Sequence, residues 1–187
     1  MVIKHNMKKI IGVIAVAFIM AQTAKAQMYT FSNGSVSFFS KTKMEDIDAR
    51  NTAPNVLLQI KEKKIAFIAQ NIGFKFQSKL MEEHYNEKYV ETEKYPLATF
   101  QGKINEDIDL TKDGVYAVNV TGTFTLHGVP KERTIPGTIT VKNGEINVKS
   151  VFTVMCADHK IIIPSLVGAK VSENVDVTVD VNLVPKK

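Results

Sequence analysis

The sequence predicts an exported, single-domain, all-β protein, on the strength of three observations. After the first 26 residues, apolar and polar side chains alternate along several segments, which is typical of strands with one buried face. Asp-Gly and Asn-Gly pairs, which favour tight hairpin turns, stand beside these segments. Most connections are short, without the spacing that helices joining parallel strands would need. About eight such strands indicate an antiparallel barrel or sandwich.

Residues 1–26 have the three parts of a secretory signal peptide. A basic start that includes Lys8 and Lys9 precedes an apolar run over residues 10–21. That run is shorter than the roughly 20 residues that a membrane-spanning helix needs. Ala24-Lys25-Ala26 then offers small residues at the positions that signal peptidase inspects. We expect cleavage after Ala26, so that residues 27–187 form the mature domain without a stable membrane anchor.

Loss of this segment changes the charge balance. Four of the 24 basic residues lie in it (Lys4, Lys8, Lys9 and Lys25), which leaves 20 basic against 19 acidic side chains. A near-neutral mature chain lacks the basic excess of a nucleic-acid-binding protein. We expect a periplasmic protein, with secretion left open, whether translation begins at Met1 or at Met7. Because Cys156 is the single cysteine, burial and strand pairing must hold the fold without an internal disulfide.

The strands follow in chain order. Weaker patterns predict strands over residues 36–40, 44–50, 55–59, 65–72 and 98–105, and clear alternation predicts strands over 115–127, 134–142, 145–154 and 175–183. Asp113-Gly114 is a hairpin turn signal just before the first clear strand. Asn143-Gly144 predicts the turn that joins the second and third.

Residues 78–89 break the alternation and predict one short helix. Leu80, His84 and Lys88 are spaced by four residues, as are Met81, Tyr85 and Tyr89, and this is helical spacing. Ser78 is a suitable N-cap. We expect the helix to pack on or across the sheet and to cover the mouth of a barrel, where Tyr85 and Tyr89 would offer ring surface and hydroxyl groups.

The alternation also predicts which side chains point inward. Gly122, Gly137 and Ser150 interrupt an otherwise bulky inner face, and two interpretations stay open. They widen a lumen for a ligand, or the glycines mark bends where the backbone turns. The candidate ligand-binding residues, in the lumen or at the mouth, are Phe67, Phe100, Val118, Val120, Gly122, Phe124, Leu126, Gly137, Ile139, Ser150, Phe152, Val154, Tyr85 and Tyr89.

Two blocks of the sequence carry a family resemblance. The run Thr123-Phe124-Thr125-Leu126-His127-Gly128-Val129-Pro130-Lys131 resembles the L-T-I-H-G-V-T-K motif of the YceI-like polyisoprenoid-binding proteins. Upstream, Lys94-Tyr95-Pro96 followed by Phe100 is similar to that family's K-Y-P-x-x-x-F motif. The order and spacing of the two blocks match, and the similarity extends over nearly the whole mature chain. The family's opening Trp and H-S pair are missing, since this chain has Tyr29-Thr30-Phe31-Ser32 and no Trp.

The resemblance implies an eight-stranded antiparallel lipocalin-like β-barrel with a long apolar ligand inside. The ligand would be a polyisoprenoid or an isoprenoid-quinone-like lipid, held for transport or storage. A homodimer is left open, and no other cofactor is expected. Two alternatives remain: an enzyme that acts on such a lipid at the barrel mouth, and a cell-envelope interaction module with a filled core.

The candidate chemical groups favour binding over catalysis, so we predict no catalytic or metal residues. Alternation places His127 on the outer face at a strand end, where a structural role is expected. Cys156, Asp158 and His159 group a thiol, an acid and an imidazole, but in an extended chain His159 would face away from the other two. His84 with Glu83 and Glu87 is expected to form a solvated helix face.

Overall fold

Ten strand segments and one α-helix form the described part of the chain, residues 28–42, 44–164 and 172–186 of a computed structural model. The predicted signal peptide, residues 1–26, lies outside the described residues. The strands are β1 (Met28–Lys41), β2 (Asp46–Asn51), β3 (Asn55–Gln59), β4 (Lys64–Gln70), β5 (Lys75–Phe76), β6 (Leu97–Ile104), β7 (Gly114–Leu126), β8 (Val129–Lys142), β9 (Glu145–Met155) and β10 (Asn174–Pro185).

The strands close into an antiparallel barrel. Each strand pairs with its neighbour in the order β10-β9-β8-β7-β6-β4-β3-β1, and β1 then pairs with β10. The segments β2 and β3 both pair with β1, while β5 pairs with β2 and β4 pairs with β3. Together β2 and β3 therefore form one strand that is broken in the middle, and β4 and β5 form another. Counted in this way, the barrel has eight strands. This confirms the predicted fold class.

A buried asparagine ties the two strand breaks together. The Asn51 side-chain amide donates a hydrogen bond to the backbone oxygen of Gln70 at 2.9 Å, and its Oδ1 accepts from the Ala53 amide at 2.9 Å. A Cβ added to Gly73 would lie 2.6 Å from Asn51 Nδ2, so only glycine leaves room for this side chain. Asn51 is 2% exposed, and its bonds satisfy backbone groups that the interrupted ladders leave free.

The hairpin turns follow the sequence in part. Asn143 (φ 53°) and Gly144 (φ 79°) form the predicted two-residue turn between β8 and β9. The other prediction is wrong, because Gly114 starts β7 after a long loop, and the Asp113 carboxylate accepts a hydrogen bond from the Asn143 amide at 3.1 Å. A second two-residue turn lies at His127 (φ 52°) and Gly128, between β7 and β8.

The helix crosses one end of the barrel. Helix α1 (Lys79–His84) continues as a single π-helical turn (Tyr85–Tyr89), so the predicted span of residues 78–89 is nearly met. Ser78 occupies the N-cap position, but its side chain makes no capping hydrogen bond. Within the described residues, no helix has the length and apolar character to cross a membrane.

The opposite end of the barrel is filled by side chains. A cluster of buried aliphatic and aromatic residues closes it, and its members include Tyr29, Val56, Leu58, Ile104, Ile139, Ile146, Val181 and Leu183. A smaller cluster under the helix consists of Val36, Ala49, Ala69 and Phe74, with Phe38, Phe76 and Tyr85 packed against it. The barrel interior between the two clusters holds the candidate site.

Candidate functional site

A cavity of about 510 Å³ occupies the barrel interior between the filled end and the helix. This volume lies in the range of small-molecule binding sites. Ile65, Ile104, Val118 and Ile139 form its floor, and side chains of α1 and the π-helical turn line its other end. The interior is therefore not filled, which contradicts the packed core that one of the alternatives assumed.

Most of the predicted site residues lie on this cavity wall. They are Phe67, Phe100, Val118, Val120, Phe124, Leu126, Gly137, Ile139, Ser150, Phe152 and Val154 from the strands, and Tyr85 and Tyr89 from the π-helical turn. The inward face of each strand thus agrees with the alternation in the sequence. That these residues contact a ligand stays a prediction.

Gly122 is the exception among the predicted site residues. It lies opposite Gly102 of β6 and is not part of the cavity wall. A Cβ at this position would lie 2.1 Å from the backbone oxygen of Gln101 and 2.4 Å from the Gly102 Cα. Glycine is required here because the two backbones approach closely, not because the lumen must be wide.

Gly137 and Ser150 do lie on the wall, at the point where backbone pairing between β8 and β9 ends. A Cβ on Gly137 would lie 2.9 Å from the Lys149 backbone oxygen. Pro136 has no amide to continue the ladder, and its backbone oxygen accepts a hydrogen bond from the Ser150 hydroxyl at 2.6 Å. Gly137 is therefore a close backbone contact and also a position without a side chain beside the cavity.

Beyond the point where backbone pairing between β8 and β9 ends, side-chain contacts join the two strands. Arg133 Nη2 donates to the Thr153 backbone oxygen at 2.5 Å, and its guanidinium lies 5.7 Å from the centre of the Phe152 ring. Phe152 in turn packs edge-on against Phe124, with ring centres 6.2 Å apart. These contacts close the wall of the cavity on this side.

Three phenylalanines surround the ring of Tyr85 at the helix end of the cavity. Its ring centre lies 5.4 Å from Phe38, 5.9 Å from Phe74 and 5.1 Å from Phe76, and the Phe38 ring is stacked on it with planes 30° apart. Edge-on and offset contacts of this kind are favourable beyond the area they bury. The three rings fix the position of the Tyr85 side chain and anchor the helix to the barrel.

The Tyr85 and Tyr89 hydroxyls are polar groups at the helix end of the cavity, where Ser78 and His84 also line the wall. Burial raises the pKa of Tyr85, so its phenol stays protonated. Burial also raises the pKa of Tyr89, with a smaller contribution from Cys156. Neither hydroxyl has a hydrogen-bond partner among the described residues, and both can donate to a bound molecule.

His127 makes contacts that stabilise the turn, as expected from its place at the end of a strand. Its Nδ1 lies 3.0 Å from the His159 backbone oxygen, and its Nε2 lies 2.7 Å from a carboxylate oxygen of Glu91. The Tyr95 ring packs edge-on against the imidazole with centres 4.4 Å apart. Alternation predicts a side chain on the outer face of the strand. The turn at His127 instead directs it against the loop that follows the helix.

The Cys156–His159 segment forms a 3₁₀ turn and not an extended chain. Cys156 lies on the cavity wall, where burial and the Glu173 carboxylate raise the pKa of its thiol. His159 is fully buried; its Nδ1 lies 3.0 Å from the Val129 backbone oxygen and its ring packs edge-on against Phe124. Within the described residues, no hydrogen bond joins Cys156 to His159, and the thiol is not activated.

The described ranges contain no group of three His, Cys, Asp or Glu side chains that could hold a metal ion. His84 lies on the wall beside Tyr85, whereas Glu83 and Glu87 are exposed on the helix. The arrangement as a whole can enclose an apolar chain and offer it hydroxyl donors at one end.

Sequence reasoning missed part of the site. Phe38, Phe74 and Phe76 lie on the cavity wall but were not among the predicted site residues. The alternation of Val36, Phe38 and Ser40 is a signal for the first of them, since these three side chains share one face. Phe74 and Phe76 have no comparable signal, because they lie at the break between β4 and β5.

Comparisons with known families and structures agree with this geometry. The model of the YceI-like domain matches residues 15–183. No curated protein sequence matches the chain.

Solved structures share the fold at low sequence identity. A polyisoprenoid binding domain from Saccharophagus degradans, implicated in plant cell wall breakdown, aligns with a TM-score of 0.73 and 16% identity, over 84% of this chain and 98% of its own. Burkholderia cenocepacia BcnA aligns with a TM-score of 0.66 and 16% identity, over 80% of this chain and 95% of its own. A Campylobacter jejuni YCEI protein aligns with a TM-score of 0.57 and 17% identity, over 72% and 81%.

Proposed function

The chain belongs to the YceI-like domain family, and we propose that it binds one long apolar lipid inside the barrel and carries or stores it in the periplasm. The observation that carries this proposal is the cavity of about 510 Å³, whose wall is almost wholly apolar. The signal-like segment over residues 1–26 supports the location.

The energetics of the cavity suit a hydrocarbon chain. Each methylene moved from water into an apolar site gains about 0.8 kcal/mol, so roughly ten of them gain about 8 kcal/mol. A ligand of this kind binds without any charged contact. Such a wall selects by length and width, and the few polar groups near the helix select the head group.

A methyl-branched chain is the ligand class that we favour. Phe67, Phe100 and Phe152 place large rings on the wall, whereas Gly137 and Ser150 leave room for a methyl branch where their own side chains are absent or small. The Saccharophagus degradans domain of the same fold is named for polyisoprenoid binding. We therefore propose a polyisoprenoid or a prenylated lipid as the ligand of this chain.

The proposed activity is binding and not catalysis. Burial raises the pKa of the Cys156 thiol, and this thiol makes no hydrogen bond to His159. The two ring nitrogens of His127 contact the Glu91 carboxylate and a backbone oxygen. These contacts leave the candidate nucleophile and the imidazoles without the mutual geometry of a catalytic pair.

A cavity-filling substitution tests the proposal. Val177→Trp on the inner face of β10 would place an indole in the cavity, whereas Thr178→Trp places the same group on the exposed outer face of the same strand. We expect the first variant to lose fluorescence enhancement of N-phenyl-1-naphthylamine, a neutral apolar probe, and the second to keep it. Equal probe binding by both variants, with circular dichroism showing both folded, would contradict binding in the cavity.

A further inference from the structure

The Tyr85 hydroxyl is a hydrogen-bond donor on a ring that aromatic packing holds in place. Phe38, Phe74 and Phe76 enclose the ring, with ring centres between 5.1 and 5.9 Å away, and the part of the side chain that remains accessible faces the cavity. The hydroxyl makes no hydrogen bond to any of the described residues. A phenol in apolar surroundings normally finds a partner, because an unmatched donor loses its bond to water and gains nothing in return.

Tyr89 differs from Tyr85 in this respect. It lies one helical turn later and also lines the cavity, but no aromatic ring lies against it among the described contacts. The ring of Tyr85 cannot change rotamer without breaking its contacts with the three phenylalanines, so its hydroxyl is held in place for an acceptor on a bound molecule.

The charges on the wall bear on the nature of that acceptor. Glu45 is an acidic residue on the cavity wall, whereas the Lys149 side chain is exposed and pairs with Asp180 of the neighbouring strand at 3.2 Å. An anionic head group would therefore lie in a cavity that carries an acidic residue, and the Lys149 ammonium, outside the barrel, would not offset its charge. An unpaired charge in an apolar cavity is strongly unfavourable, whereas an uncharged oxygen needs only one donor.

We propose that Tyr85 anchors the head of the bound lipid by donating a hydrogen bond to an uncharged oxygen, such as a ketone, quinone, ester or ether oxygen. This inference rests on the proposed function, since it requires an apolar chain in the cavity. It adds the chemical class of the head group and the residue that binds it. The Phe38, Phe74 and Phe76 rings act as positioning residues for the phenol.

A matched set of ligands and variants tests this role. Hexadecane, 2-hexadecanone and hexadecyl phosphate are compared as competitors of N-phenyl-1-naphthylamine in the wild type, Tyr85→Phe and Tyr89→Phe. We expect the wild type to bind the ketone about fivefold more tightly than the alkane, the equivalent of one net hydrogen bond. Tyr85→Phe, which keeps the ring and its packing, should lose this preference and bind the alkane as before, whereas Tyr89→Phe should keep the preference.

The outcomes separate the two proposals. If none of the three competitors and no probe binds to the wild type, the proposed function fails. If the chains bind but Tyr85→Phe keeps the ketone preference, or Tyr89→Phe loses it, the assignment to Tyr85 is overturned. Tighter binding of hexadecyl phosphate than of the ketone would indicate a cationic anchor, such as the His84 imidazole on the wall, and would overturn the uncharged head group.

Discussion

The Tyr85 ring stacks on the Phe38 ring with centres 5.4 Å apart and planes 30° apart. This contact joins the π-helical turn to the first strand of the barrel, and it spans 47 positions of the sequence. It also fixes the position of the Tyr85 side chain at the helix end of the cavity. The fit of the helix to the barrel end therefore depends on a residue that belongs to the wall of the site.

Replacement of Phe38 by alanine should loosen the helix. We expect Phe38→Ala to lower the free energy of unfolding by about 3 kcal/mol, because it removes packing against three aromatic rings. The apolar probe should also dissociate faster. Phe39→Ala is the matched control, since Phe39 is 37% exposed and lies on the outer face of the same strand. Urea unfolding of both variants measures the difference, and equal losses would show that the aromatic cluster does not anchor the helix.

Gly122 should tolerate no side chain. An alanine Cβ would lie 2.1 Å from the Gln101 backbone oxygen, and neither strand can move without breaking its ladder. We expect Gly122→Ala to lower the free energy of unfolding by about 3 kcal/mol. Gly144→Ala, in an open turn at φ 79°, should cost only about 1 kcal/mol, which is the penalty of the left-handed conformation. A Gly122→Ala variant as stable as the wild type would contradict the close strand approach.

His159 should make stability depend on pH below about 6.5. Burial lowers the pKa of this imidazole from its ordinary value of 6.5, and the nearby Arg133 charge also lowers it, so the unfolded chain takes up the proton more readily. The free energy of unfolding should therefore fall as the pH decreases from 6.5 toward the folded pKa, by at most about 1.4 kcal/mol per pH unit. Protonation of Glu106, Asp107, Asp109 and Asp180, whose hydrogen bonds or lysine partners lower their pKa, acts only at more acidic pH.

Two glutamine variants isolate this effect. His159→Gln should flatten the dependence between pH 7.5 and 5.5, because it removes the titrating group and keeps a donor for the Val129 backbone oxygen. His84→Gln, on the helix, should leave the dependence as it is in the wild type. Urea unfolding at the two pH values decides the matter, and an unchanged slope in His159→Gln would show that another group is responsible.

The sequence predicted the inner faces of the strands well, for a local reason. Alternation depends only on neighbouring residues, so Val118, Val120, Phe124 and Leu126 could be placed on one face before the pairing was known. Gly122 shares that alternation, but its role depends on the opposite strand. Its contact with Gln101 is 21 positions away in sequence, which no local pattern reveals.

The missed features have a common physical cause. The strand β8 begins at Val129, earlier than the predicted residue 134, because the turn at His127 pairs Leu126 with Val129. The sequence does not reveal this start, since Pro130 and the charged residues after it interrupt the alternation. The aromatic cluster and the strand breaks at Asn51 depend likewise on contacts between distant segments. The family motif contributed most where these local signals were weakest, since it marked the turn that organises β7 and β8.

Native mass spectrometry of the full-length protein expressed in a Gram-negative host and purified from the periplasmic fraction tests the central claim most directly. The account predicts a mature chain that carries one apolar lipid, which organic extraction releases and tandem mass spectrometry identifies as a prenyl chain with an uncharged oxygen in its head group. Bare protein that also fails to take up any prenyl lipid added in detergent would contradict the claim that the cavity is a lipid-binding site.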